Sequence, residues 1–170
     1  MEIVAQIIGI VALVAAVISF QQRTYKGILV LQLVSSGLFA FHFAMLGAYT
    51  GAVLNAIAAV RSLIYAYKGK PWADNILWFW LFCVLSVMVG VFTWNGPLSI
   101  LPVLGMISTT AVFLTKTPKM VRIVSFPSSP LWLVYNIFTH SLGGVITEVI
   151  SMISIIVAMI RLDFKKDNAN

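Results

Sequence analysis

Charge is what this chain has least of. Charged side chains make up 9% of its 170 residues, where a soluble domain carries about 25%. Only five residues are acidic, while 61% are hydrophobic. That balance argues against a water-soluble enzyme or binding module. Cysteine is nearly absent as well. Cys83 stands alone, so no intrachain disulfide and no cysteine-based metal site can form. Histidine occurs only at His42 and His140. The chain has no glycine-rich phosphate loop, no G-x-S-x-G elbow and no H-E-x-x-H pair. No catalytic residue, metal or cofactor is assigned, and the chain is not expected to be an enzyme.

What the chain does have is apolar length. Seven runs are hydrophobic: 3–20, 28–46, 51–67, 76–94, 98–114, 123–139 and 144–162. A spanning helix needs about 20 residues, so seven helices use roughly 140 and leave only short connections. The expected fold is all-α: one integral membrane domain, 1–170, with seven transmembrane helices. Trp72, Trp78, Trp80 and Trp94 lie near the ends of the fourth run, where indole rings anchor at the interface.

The eleven Lys and Arg residues fall at alternate ends of these runs. Arg23 and Lys26 follow the first. Arg61, Lys68 and Lys70 close the third. Lys116, Lys119 and Arg122 follow the fifth, and Arg161, Lys165 and Lys166 close the seventh. The connections 47–50, 94–97 and 140–143 carry none. Basic residues stay cytoplasmic during insertion, which places the amino terminus outside and the carboxyl terminus inside. The net charge of +6 then reads as a collar facing anionic lipid headgroups, not a nucleic-acid surface. The first run has no basic stretch before it, so it reads as an anchor and not a cleaved leader.

An odd helix between two triplets lets both triplets start on the same side, as parallel repeats do. The expected division is 1–67, a linker helix at 75–94, and 98–162. Gly9 matches Gly105, the surroundings of His42 match those of Asn136, and Gly51-x-x-x-Asn55 matches Gly144-x-x-x-Glu148. The offset drifts by only a few residues, as short loop deletions would produce.

Polar groups inside a bilayer are expensive and face the bundle interior or a water-filled path. His42, Asn55, Asn136 and Glu148 share one layer in the outer half, with Asn55 and Glu148 roughly 6–8 Å below the surface at 1.5 Å per residue. Two readings compete: a polar pocket for a solute, or a network that pins helices. Interhelical polar contacts average about 0.6 kcal/mol, which is poor return for burying a carboxylate. Glu148 is expected to pair with His42 or to hydrogen-bond Asn55. Arg61 either snorkels to the inner interface or serves as an inner gate or the partner of an anion. Ser108, Thr109 and Thr110 line a path or bond their own helix. Pro127 and Pro130 mark a kink. Trp132 is a flat wall for a solute or lipid-facing bulk.

The runs His42-x-x-x-Leu46-Gly47, Leu54-Asn55-Ala56-Ile57 with Arg61, Leu101-Pro102-Val103-x-Gly105, Trp132-x-x-x-Asn136 and Ser141-x-Gly143-Gly144-x-x-x-Glu148 resemble the YgjV family of bacterial inner-membrane proteins. The resemblance implies an inner-membrane location and supplies no activity. More distantly the chain is similar to the SWEET and PQ-loop transporters, which join two parallel three-helix bundles by a linker helix. Asn55 and Glu148 look like the polar pair on their third helices. The first run here has no proline and neither half has a Pro-Gln motif, and a glutamate replaces the second asparagine. The departure points to a different solute, a cation or polyol, or to proton coupling. The expectation is a small-solute transporter in which Asn55, Glu148, His42 and Asn136 bind the solute and Arg61, Trp132 and Ser108 gate or line its path. Membrane lipids are the other partners, and both repeats in one chain make an oligomer unnecessary. The alternative is a non-transporting scaffold or accessory subunit. An intramembrane enzyme acting on a lipid is the third reading and lacks a nucleophile.

Overall fold

The computed structural model describes residues 2–45, 49–92, 94, 96–138 and 142–164. Leu46, Gly47, Asn95, His140 and Ser141 lie outside the described residues. The described elements are helical: α1 (Glu2–Phe20), α2 (Tyr25–Met45), α3 (Tyr49–Ala66), α4 (Leu77–Phe92), α5 (Ile100–Thr110), α6 (Pro118–Ser125), α7 (Ser128–Phe138) and α8 (Leu142–Ala158). Short 3-10 turns bracket α5 at Pro97–Ser99 and Ala111–Leu114. A π-helical turn, Met159–Phe164, extends α8.

The sixth apolar run is delivered in two pieces, α6 and α7. Pro127 cannot donate a backbone hydrogen bond, and it sits at the break. Pro130 is tolerated because it lies in the first turn of α7. Ser108 of α5 donates to Val124 O at 2.7 Å, supplying a side-chain donor to the interrupted ladder. α6 also begins earlier than hydropathy placed it. Pro118 opens it, and Thr117 caps it by accepting from the Met120 N–H.

Within the first triplet α2 lies between α1 and α3, and within the second α7 lies between α5 and α8. α1 packs on α8, and α4 packs on α5 and α3. Antiparallel neighbours place the α1–α2 connection, the end of α3, the Ala111–Leu114 turn, α6 and the end of α8 at one end of the bundle. Contacts among these segments confirm the shared end: Lys68 with Phe113, Arg122 with Phe20 and Gln22, and Lys26 over the Tyr67 ring. It is called the basic end below. The apolar cluster of Ile28, Leu29, Ile64, Tyr65, Phe82, Val112, Phe113 and Val121 lies there, drawn from both triplets and α4.

Burial is inverted relative to a water-soluble domain. Among the described residues fourteen buried side chains are apolar and fourteen are polar or charged. Large apolar side chains such as Ile10, Phe41, Leu77, Val91 and Phe92 are exposed. An apolar exterior of this extent needs a covering, and hydrocarbon supplies one. α2 and the segment Val145–Asp163 are long and apolar enough to cross a membrane by length and composition, and four shorter apolar helices accompany them.

Candidate functional site

His42, near the end of α2, is held by α1. Its Nδ1 lies 2.8 Å from Ala5 O, and its ring fills the space a Cβ at Gly9 would occupy, 2.9 Å from Nδ1. Phe39 and Phe43 flank the ring. Glu148, two turns into α8, accepts a hydrogen bond from the Ser129 hydroxyl of α7. His42 and Glu148 thus each bond a neighbouring helix, α1 and α7. Asn55 and Asn136 are half-buried and engaged in contacts of their own.

Trp132 faces α5. Its Cδ1 and Nε1 would both lie 2.8 Å from a Cβ at Gly105, and it meets Tyr135 edge-on. Gly105 thus seats Trp132 as Gly9 seats His42. In both triplets a glycine of the first helix receives a ring from the middle helix.

Arg61 corrects its expectation. It does not snorkel: it is 8% exposed and reaches from α3 to α5, donating to Thr110 Oγ1 at 2.9 Å and Met106 O at 3.3 Å. Tyr65 Oη donates to Thr110 O at 3.0 Å. Lys68 Nζ donates to Phe113 O and, at 3.0 Å, to Thr115 O. Partial burial pulls the Lys68 ammonium below its usual range, opposed by Asp74 and reinforced by Lys116. Three side chains of the first triplet thus occupy oxygens of the C-terminal half of α5 and of the turn that follows it.

The opposite junction mirrors this one. Ser154 Oγ donates to Val17 O at 2.7 Å, and Gln21 Nε2 donates back to Ser154 O at 2.7 Å. Arg122 of α6 is 1% exposed. It donates from Nε to Phe20 O at 2.8 Å, from one Nη to Gln22 O, and from the other to Asp163 Oδ1 at 2.7 Å. Arg61 follows Asn55 by six residues, and Ser154 follows Glu148 by six. Arg61 and Ser154, which both bond across to the other triplet, occupy matching positions in α3 and α8.

Sequence reasoning missed Arg122, Asp163, Ser129, Ser154 and Gln21. The placement of Lys and Arg puts Arg122 in an exposed collar, and nothing in the apolar runs singles out Asp163. Asp163 lies in the π-helical turn with 9% exposure. The available signal was a carboxylate placed directly after an apolar run, among cations. A shallow groove of about 550 Å³ lies on α4, lined by Trp72, Asn75, Leu77, Trp78, Trp80, Leu81 and Val84. None of the candidate residues lines it. Among the described residues no group of three His, Cys, Asp or Glu side chains could hold a metal ion.

An apolar exterior around a half-polar, all-helical interior defines a helical membrane protein. Residues 3–166 match the Imp-YgjV family, described as bacterial inner membrane protein, and the chain belongs to that family. It is 30% identical over 145 residues to the inner membrane protein YgjV of Escherichia coli (strain K12), an alignment covering 85% of this chain and 76% of that protein. No solved structure matches it.

Proposed function

We propose that this inner-membrane protein is a small-solute transporter, built as two parallel three-helix repeats around a linker helix, α4. Its amino terminus is outside and its basic end cytoplasmic, following the distribution of Lys and Arg. Rocking of one triplet against the other gives alternating access to a polar layer. Asn55 and Glu148 contact the solute there, while His42 and Asn136 shape its outer side and Arg61, Trp132 and Ser108 border its path. The solute is small and polar, lipids surround the bundle, and no catalytic step is involved.

One observation carries the reading. Among the described residues, Arg61–Thr110 and Ser154–Val17 join the triplets at two matching junctions toward the basic end, while His42 bonds Ala5 and Glu148 bonds Ser129 within their own triplets. Two bodies joined at one end can part at the other.

The test is thermal unfolding of the purified protein with sugars, polyols, nucleosides, amino acids, organic acids and amines. A native-state ligand at a hundredfold excess over its Kd stabilises by about 2.7 kcal/mol. The expected result is a hit that disappears in Asn55→Ala and in Glu148→Gln. A silent panel, with both variants markedly less stable than the parent, favours a scaffold. The bonds of His42 to Ala5 and of Ser108 to Val124 favour that alternative, because they commit polar side chains to helix packing.

A further inference from the structure

We propose that the basic end is a reversible gate, closed in this structure by two reciprocal latches in which each triplet caps the carbonyls ending the first helix of the other. From the first triplet, Lys68 reaches Phe113 O and Thr115 O beyond α5. From the second, Arg122 reaches Phe20 O and Gln22 O at the end of α1. A helix C-terminus presents carbonyls without intrahelical donors and a partial negative charge. A cation is the side chain that satisfies both. The latches resemble each other in chemistry and in the carbonyls they cap, at the end of α1 and just beyond α5, although Lys68 follows α3 and Arg122 belongs to α6.

Between the latches the triplets close on each other. The Tyr65 ring meets Phe113 at 5.1 Å, inside the apolar cluster that fills this end. Arg61 and Ser154 mark the two junctions farther in. Asp163 is the catch of the second latch: its Oδ1 holds the Arg122 guanidinium against α1. The catch sits in a π-helical turn, a wide geometry often found at functional sites.

The polar atoms around this latch separate a gate from a permanent staple. Among the described residues, Asp163 Oδ2, Ser125 Oγ and Gln21 Oε1 are buried and find no hydrogen-bond partner. Such atoms weigh against the closed arrangement and regain partners once water enters. The closed end is held by charged contacts that opening exchanges for water. Two states close in free energy are what a rocking bundle needs.

The test reads opening directly and uses no solute. In a Cys83→Ser background, Ser154→Cys and Thr110→Cys place one thiol at each junction; Ser154 is 5% exposed and Thr110 fully buried. A membrane-impermeant maleimide is applied to vesicles of either orientation. With the latches intact both thiols react slowly. Arg122→Gln and Lys68→Gln are each expected to speed labelling at least tenfold, from the basic face, at both reporters, because triplets that rock as bodies open both junctions together. Asp163→Asn, which keeps the cation and removes its catch, gives a smaller rise and stands in if Arg122→Gln fails to fold. Unchanged labelling in folded Lys68→Gln and Asp163→Asn proteins, or labelling from the opposite face, overturns the gate. The inference draws its purpose from the transport reading but not its test. A gate that opens while the solute panel stays silent would remove the transport reading alone.

Discussion

The two ends of this bundle solve the same problem differently. At the basic end charged groups are buried between the triplets, with Arg122 joined to Asp163 and to two carbonyls of the other triplet. Toward the other end the polar side chains His42 and Glu148 are satisfied inside their own triplets, by Ala5 O and Ser129. Buried charge is costly to leave unpaired, so it locks whatever it joins. Neutral hydrogen bonds in a bilayer contribute about 0.6 kcal/mol and constrain less. The bundle is thus clamped where its charges are.

The largest expected effect is at the clamp. Arg122→Ala leaves Asp163 buried without its cation and removes donors from Phe20 O and Gln22 O, for a loss of about 3–5 kcal/mol. Unfolding of the purified protein in detergent checks it. Replacing Arg122 and Asp163 together by apolar residues of similar volume is expected to restore much of the loss, since the uncompensated charge dominates it. If the single and double variants are equally unstable, packing explains the site and the contrast between the ends weakens.

Steric effects come next. A Cβ at Gly90 would lie 2.2 Å from Val103 Cγ2, where α4 crosses α5, whereas a Cβ at Gly37 would meet nothing within 4 Å. Gly90→Ala is expected to destabilise by about 1–3 kcal/mol through overpacking. Gly37→Ala in the interior of α2 is expected to stabilise by about 0.5–1 kcal/mol, because alanine loses less backbone entropy in a helix. Unfolding midpoints of the two variants, measured side by side, check both signs. Gly9→Ala and Gly105→Ala compare the triplets themselves. The Gly105 variant should lose more, because Trp132 is the larger and less movable ring.

These comparisons also show what was legible beforehand. Periodic apolar runs and the placement of Lys and Arg gave the number and order of the helical segments, because both signals are local. Gly9 and Gly105 each admit a ring from a neighbouring helix. The break of the sixth segment followed from Pro127. What escaped was non-local. Arg122 meets the end of α1 across 102 residues of chain and the turn after α8 across 41, and hydropathy treats it as one more exposed cation. Asp163 follows the seventh apolar run, and only the π-helical turn carries it inward. The partners of His42 and Glu148 depended on which neighbour each helix faces, which residue spacing does not specify.

The smallest expected effect lies at Glu148, and it sharpens the contrast most. If Ser129 only satisfies the carboxylate, then Glu148→Gln, Ser129→Ala and the double variant form a cycle with a coupling near 0.6 kcal/mol. Thermal unfolding of the four proteins measures it. A coupling of that size means Glu148 contributes little to holding the bundle together, and its burial then needs another reason, which solute contact provides. A coupling of several kcal/mol would place Glu148 with Arg122 as part of the clamp, and the end opposite the basic one would no longer be the weakly bonded region. The cycle decides whether this carboxylate belongs to the part of the bundle that moves or to the part that holds.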